Sequence, residues 1–205
     1  MTRITLIAAG LFMAALPVLA QQAAIDRTAA AMTGMEAKFT HQFTPKGFKT
    51  SQTERGSVVF GRLPMMRWTY TAPEAKTFVF DGERSWFYVP ADRQVTVADL
   101  DERRKGELPF LLIGDPAARA RQFEVREQRR GGKITTTLQP RGSASAIRTA
   151  TIVTDTKSNL IESIAYTDRD GNRTSFAFSG YHRARTGDDT FRFTAPAGVQ
   201  VVRAD

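Results

Sequence analysis

The sequence predicts a mainly β fold: one antiparallel sheet curved into a barrel or half-barrel, with short helices covering its concave face. Three observations carry that reading. Residues 56–97 hold three aromatic pairs spaced two apart, Trp68/Tyr70, Phe78/Phe80 and Trp86/Tyr88, and this spacing puts both members of a pair on one face of a strand. Turn chemistry separates the pairs, at Leu63-Pro64, Ala72-Pro73-Glu74, Asp81-Gly82 and Pro90-Ala91-Asp92. Between residues 99 and 119 the strand rhythm gives way to helical stretches, and then it resumes.

Taken in order, the chain opens with Arg3, an apolar run to Leu16, and Pro17-Val18-Leu19-Ala20. A basic start, a short apolar run and a small closing residue describe a cleavable secretory signal over residues 1–20, which leaves residues 21–205 as a single domain. The run is too short for a membrane span, so the mature protein is expected to be exported and free to diffuse. The whole chain carries a net charge of +8, and removing the signal removes Arg3 alone among charged residues, leaving +7. That charge suits acidic proteins or anionic lipid head groups, and it serves solubility equally well. There is no cysteine, which excludes disulfides and an N-terminal lipid anchor on cysteine.

Residues 21–35 are alanine-rich and end at Thr33-Gly34, which predicts one amphipathic helix. Phe39, His41 and Phe43 alternate, and so predict a strand reaching Pro45. After the aromatic meander, residues 100–107 are charged, Leu108-Pro109-Phe110-Leu111-Leu112-Ile113-Gly114 is compactly apolar, and Asp115-Pro116 is an N-cap followed by proline at the first helical position. These predict two short helices acting as a lid, with Phe110, Leu111, Leu112 and Ile113 as its apolar face. Further strands are expected at residues 123–129, 133–138, 147–154, 160–167 and 174–178, with a Gly131-Gly132 turn between the first two. Phe191, Phe193, Val199 and Val201 suggest short closing strands.

No catalytic or metal-binding constellation is found, and no cofactor is implied. His41 and His182 are the only histidines, without metal-ligand spacing, and read as structural. No nucleophile elbow, phosphate loop or dinucleotide fingerprint occurs, which disfavours a lipid hydrolase. Asp168-Arg169-Asp170-Gly171-Asn172 lacks the later ligands of a calcium loop and reads as a hairpin turn. Interleaved basic and aromatic residues suit single-stranded nucleic acid, but an export signal argues against that partner.

The positive signal is apolar surface. A curved sheet lined by Phe60, Trp68, Tyr70, Phe78, Phe80, Trp86 and Tyr88 needs a filler, either the short helices themselves or an acyl chain. Arg62 shares parity with Val58 and Phe60, so it either points to the apolar side or, at the strand's end, snorkels to water. Met65-Met66, in the turn beside it, suits an adaptable hand-off contact at the cavity mouth.

The run Phe60-Gly61-Arg62-Leu63-Pro64-Met65-Met66-Arg67-Trp68-Thr69-Tyr70, then Asp81-Gly82, Trp86-Phe87-Tyr88, Pro90, Gln94-Val95, Pro109-Phe110-Leu111-Leu112 and the ending Phe191 to Val201 resemble the LolA family of periplasmic outer-membrane lipoprotein carriers. The resemblance covers essentially the whole mature chain. It implies an incomplete barrel plugged by helices, and a non-enzymatic, monomeric carrier without cofactor. Its implied partners are acylated lipoproteins, an inner-membrane ABC-type transporter that releases them, and an outer-membrane acceptor that is itself a lipoprotein. The family's lid-latching arginine falls on Arg62, with Arg67 as its rival. The family commonly has proline directly after that arginine, whereas Leu63 intervenes here. A carrier of another lipid, such as a glycolipid, and a lipoprotein-sensing envelope regulator are the alternatives on the same fold.

Overall fold

The computed structural model describes residues 23–143, 145–187 and 189–204. The export-signal reading, residues 1–20, lies outside the described residues. The elements run α1 (Ala24–Met32), β1 (Met35–Thr44), β2 (Gln52–Phe60), β3 (Met66–Ala72), β4 (Lys76–Phe80), β5 (Arg84–Val89) and β6 (Gln94–Asp99). Three short helices follow, α2 (Glu102–Glu107), α3 (Pro109–Ile113) and α4 (Pro116–Gln122). Then come β7 (Phe123–Arg130), β8 (Lys133–Pro140), β9 (Ile147–Asp155), β10 (Ile161–Asp168), β11 (Arg173–Arg183) and β12 (Gln200–Arg203).

All strands join one open sheet of 12, ordered β12-β6-β5-β4-β3-β2-β1-β11-β10-β9-β8-β7. The expected antiparallel pairing holds except at β12, which pairs parallel with β6, Val201 opposite Val95. Phe191 and Phe193 form no strand; they lie in the irregular segment before β12. The sheet does not close, yet it is strongly bent. Trp68 on β3 and Phe176 on β11 are separated by β1 and β2, a span of roughly 14 Å on a flat sheet, but their ring centroids lie 5.3 Å apart. Only deep curvature brings side chains of one face together in this way.

Local chemistry explains the bend and the packing. Gly56 sits where β2 shifts register against β3, and a Cβ there would lie 2.0 Å from the Thr69 carbonyl oxygen and 2.9 Å from the Phe39 ring. Only glycine permits that approach. The helices fill the concave face: Ile25 and Met32 of α1, Leu111, Leu112 and Ile113 of α3, and Ala118 of α4 are all buried in one core with Phe39, Phe60, Trp68, Phe176 and Phe178. Asp115 caps α4 by accepting from the Ala118 N–H at 2.9 Å, as its sequence predicts. Asp168 likewise closes the β10–β11 hairpin by accepting from the Asn172 N–H at 2.8 Å.

Candidate functional site

Helix α3 packs into the concave face of the sheet. Its Pro-Phe-Leu-Leu-Ile sequence has no polar side chain, so every face can be buried, and all five residues are. The Phe110 ring meets Trp68 at 5.2 Å, Phe80 at 5.9 Å and Phe176 at 6.2 Å between centroids. Beside it remains a pocket of about 160 Å³ lined by His41, Trp68, Tyr70, Phe78, Phe80, Leu108, Phe110, Tyr166 and Phe176. Its floor is buried, while His41, Phe78, Leu108 and Tyr166 are half-buried at its rim. Ligand pockets ordinarily measure about 300–1,000 Å³, so this pocket beside α3 is smaller than a usual ligand site.

Five of the seven expected lining residues fall on the helix-covered face: Phe60, Trp68, Tyr70, Phe78 and Phe80, with Phe60 deeper in the core than the pocket wall. Trp86 and Tyr88 do not. In the β4–β5 register Val79 pairs with Trp86 and Phe78 with Phe87, so parity reverses across the Asp81-Gly82 turn. Phe87 therefore takes the inner face, stacked on Phe78 at 4.3 Å, and Trp86 and Tyr88 pack on the opposite face against Phe193, at 5.8 and 5.7 Å.

Arg62 lies in the turn after β2 instead of on a strand face. β2 ends at Phe60, and Gly61 to Met65 form a turn closed by the Gly61 N–H to Met65 carbonyl and Met65 N–H to Arg62 carbonyl bonds. With the strand ended, its alternation no longer assigns Arg62 a face, and the side chain is exposed. Leu63, the residue that intervenes before Pro64, is buried in its stead and abuts Gly114 at the end of α3, where an added Cβ would lie 2.3 Å from that of Leu63. Arg67 is also outside, paired with Val59 and Val79 on the face opposite Trp68. Met66 is fully buried opposite Phe60 and Phe80, so it presents nothing to a partner; only Met65, in the turn, is partly accessible.

The arginine that binds the end of α3 is Arg119 on α4, only 4% exposed. Its Nη1 donates to the Leu112 carbonyl at 2.8 Å and the Ile113 carbonyl at 3.1 Å, and its Nη2 pairs with Asp26 on α1. One guanidinium thus caps the end of α3, where carbonyls lack helical partners, and ties α1, α3 and α4 together. The sequence signal for it is faint: with Asp115 as N-cap, Ala118 and Arg119 share the inward face of α4.

A polar cluster stands at the rim. His41 Nδ1 lies 3.0 Å from Glu54 Oε2, Lys76 Nζ lies 2.5 Å from Glu54 Oε1 and 4.7 Å above the Tyr70 ring, and the His41 ring stacks on Phe176 at 4.4 Å. His41 is thus a pocket-wall residue rather than merely structural, whereas His182 is exposed beside Glu36. Burial lowers the His41 pKa below its ordinary 6.5, outweighing the Glu54 hydrogen bond and charge that raise it, and Lys76 adds to the lowering. The folded state therefore binds fewer protons than the unfolded chain at mildly acidic pH. The stabilisation is full above about pH 6.5 and is lost as pH falls from there through the lowered folded value. Wild-type thermal stability should drop between about pH 7 and 5 more steeply than that of His41→Gln. Parallel profiles in calorimetry would refute this.

Comparisons with known proteins agree with this architecture. Residues 30–194 match the family model described as outer membrane lipoprotein carrier protein LolA. The outer-membrane lipoprotein carrier protein of Aliivibrio salmonicida (strain LFI1238) is 30% identical over 169 residues, covering 82% of each chain. That of Xanthomonas axonopodis pv. citri (strain 306) is 27% identical over 181 residues, covering 87% of this chain and 86% of its own. Among solved structures, an uncharacterized conserved protein from Thermus thermophilus shares the fold, with a TM-score of 0.56 at 13% identity over 88% of this chain and 97% of that one.

Proposed function

The chain belongs to the LolA family of outer membrane lipoprotein carrier proteins, and from that premise we propose that it carries lipoproteins by burying their acyl chains where α3 now sits. Residues 1–20 serve as a cleavable export signal, and residues 21–205 act as one monomeric carrier in the periplasm. It receives cargo from an inner-membrane ABC-type transporter and delivers it to an outer-membrane lipoprotein acceptor. Among the described residues no helix is long and apolar enough to cross a membrane.

The observation that carries this reading is a wholly apolar helix plugging a concave aromatic face, with its end carbonyls held by one guanidinium. Acyl chains compete with α3 for the same surface. Each buried methylene contributes about 0.8 kcal/mol, whereas full exposure of Phe110, Leu111, Leu112 and Ile113 would cost on the order of 8 kcal/mol. The hydrogen bonds that Arg119 makes to the end of α3, about 1.5–3 kcal/mol each, add to that cost. The lid therefore stays in contact with the incoming chains instead of swinging into water. Onward transfer needs only an acceptor that binds the chains more strongly, and no covalent step.

Native mass spectrometry of the mature protein purified from its own periplasm tests the proposal. Lipid-modified polypeptides should copurify with it. Glycolipid or phospholipid alone would establish a carrier of other cargo, and a consistently empty protein would refute the acyl-binding reading.

A further inference from the structure

The pocket beside α3 is apolar, but two of the residues that line it, Trp68 and Tyr70, carry hydrogen-bond donors. Trp68 is 2% exposed and lines the pocket, and its enclosed indole Nε1–H has no hydrogen-bond partner among the described residues. A buried donor left unpaired is uncommon and marks a place where an acceptor is missing. Tyr70, 6% exposed on the same strand and the same face, is two residues away. Its hydroxyl lies 3.5 Å from His41 Nδ1. That nitrogen faces Glu54 Oε2 at 3.0 Å, and in a neutral imidazole it donates its proton there, so the Tyr70 proton is left for another acceptor. Burial, the Glu54 charge and Tyr166 all push the Tyr70 pKa upward, so the hydroxyl keeps its proton.

The charge balance narrows the acceptor. Glu54 and Lys76 neutralise each other at the rim, and His41 is held neutral by burial. A free carboxylate would find no uncompensated cation there, and an uncharged carbonyl oxygen needs none.

Resting on the acyl-carrier reading above, we infer that this end of the pocket is a carbonyl-recognition subsite, in which the Trp68 N–H and Tyr70 O–H receive an ester carbonyl at the head of a bound acyl chain. The ester belongs to the diacylglyceryl group of lipoprotein cargo. His41, Glu54 and Lys76 are positioning residues: they hold the Tyr70 ring and hydroxyl at the rim.

The test is a titration of the full mature protein, followed by calorimetry, with a synthetic diacylglyceryl lipopeptide bearing no N-acyl group and with its dialkyl-ether counterpart of equal chain length. The ester should bind about tenfold more tightly, the worth of one or two hydrogen bonds. In Tyr70→Phe the ester should fall toward the ether, whose affinity should stay unchanged. Equal binding of ester and ether by the wild-type protein overturns the subsite while leaving the carrier reading intact. Failure to bind either overturns both. A free fatty acid binding more tightly than the ester overturns the neutral-carbonyl assignment. Discrimination between monoacylglycerol and its ether, with none between the lipopeptides, overturns the assignment to lipoprotein cargo.

Discussion

Replacing Arg119 with methionine should lower stability by about 3–5 kcal/mol, the usual result of removing one partner of a buried, hydrogen-bonded pair. The variant strands the Leu112 and Ile113 carbonyls and leaves Asp26 without its guanidinium. For a chain of this size, that corresponds to a fall in Tm of about 10 °C. A latch differs from an ordinary brace in a second respect: its loss should also speed uptake of a fluorescent fatty-acyl probe, because α3 then leaves the concave face more readily. Calorimetry and stopped-flow fluorescence read the two effects separately. A drop in Tm with unchanged uptake would make Arg119 a brace alone. Asp26→Asn should produce part of both effects, and the double variant should show less than their sum, since the two residues act through one contact.

Phe110→Ala should move stability and ligand affinity in opposite directions. Phenylalanine-to-alanine changes in cores cost about 3–5 kcal/mol, and this ring fills the space among Trp68, Phe80 and Phe176. Its removal enlarges the adjoining pocket of about 160 Å³. An acyl chain entering the variant no longer has to displace the ring, so its binding should tighten even as the empty protein loses stability. Saturating ligand should then raise the variant's Tm by more than it raises the wild-type's. Weakened binding in parallel with lost stability would show that Phe110 is core and that ligand binds elsewhere.

The contrast between these residues and those expected from sequence has a physical cause. Strands, hairpins and the helical stretch are legible because their signals are local: alternating aromatics, Asp81-Gly82 and Gly131-Gly132 turns, and Asp115-Pro116 opening a helix, although that stretch forms three helices where two are expected. Which face an aromatic pair presents is not local. Trp86 and Tyr88 have the same spacing as Trp68 and Tyr70, yet the pairing across the intervening turn matches even with odd positions and reverses them. Arg62 escapes for a related reason: alternation carried past Phe60 has no meaning, because the strand has already ended. Arg119 gives almost no signal because its partners lie 6, 7 and 93 positions away, on helices whose docking no window of sequence reveals. The Glu54 and Lys76 cluster is hidden because two charged residues at inward positions look like solvated ones until their strands are set side by side.

The two borders of the sheet add a final consequence. One is occupied by β12, lying parallel along β6. The other is β7, whose outer reach carries exposed Glu124, Arg126, Glu127, Arg129 and Arg130. Strand edges decorated in this way resist the addition of a further strand. At β7, a polypeptide tethered to a bound acyl chain would meet an edge that discourages backbone pairing. A carrier that grips only acyl chains has no need of such pairing, and a charged edge is then no loss to it.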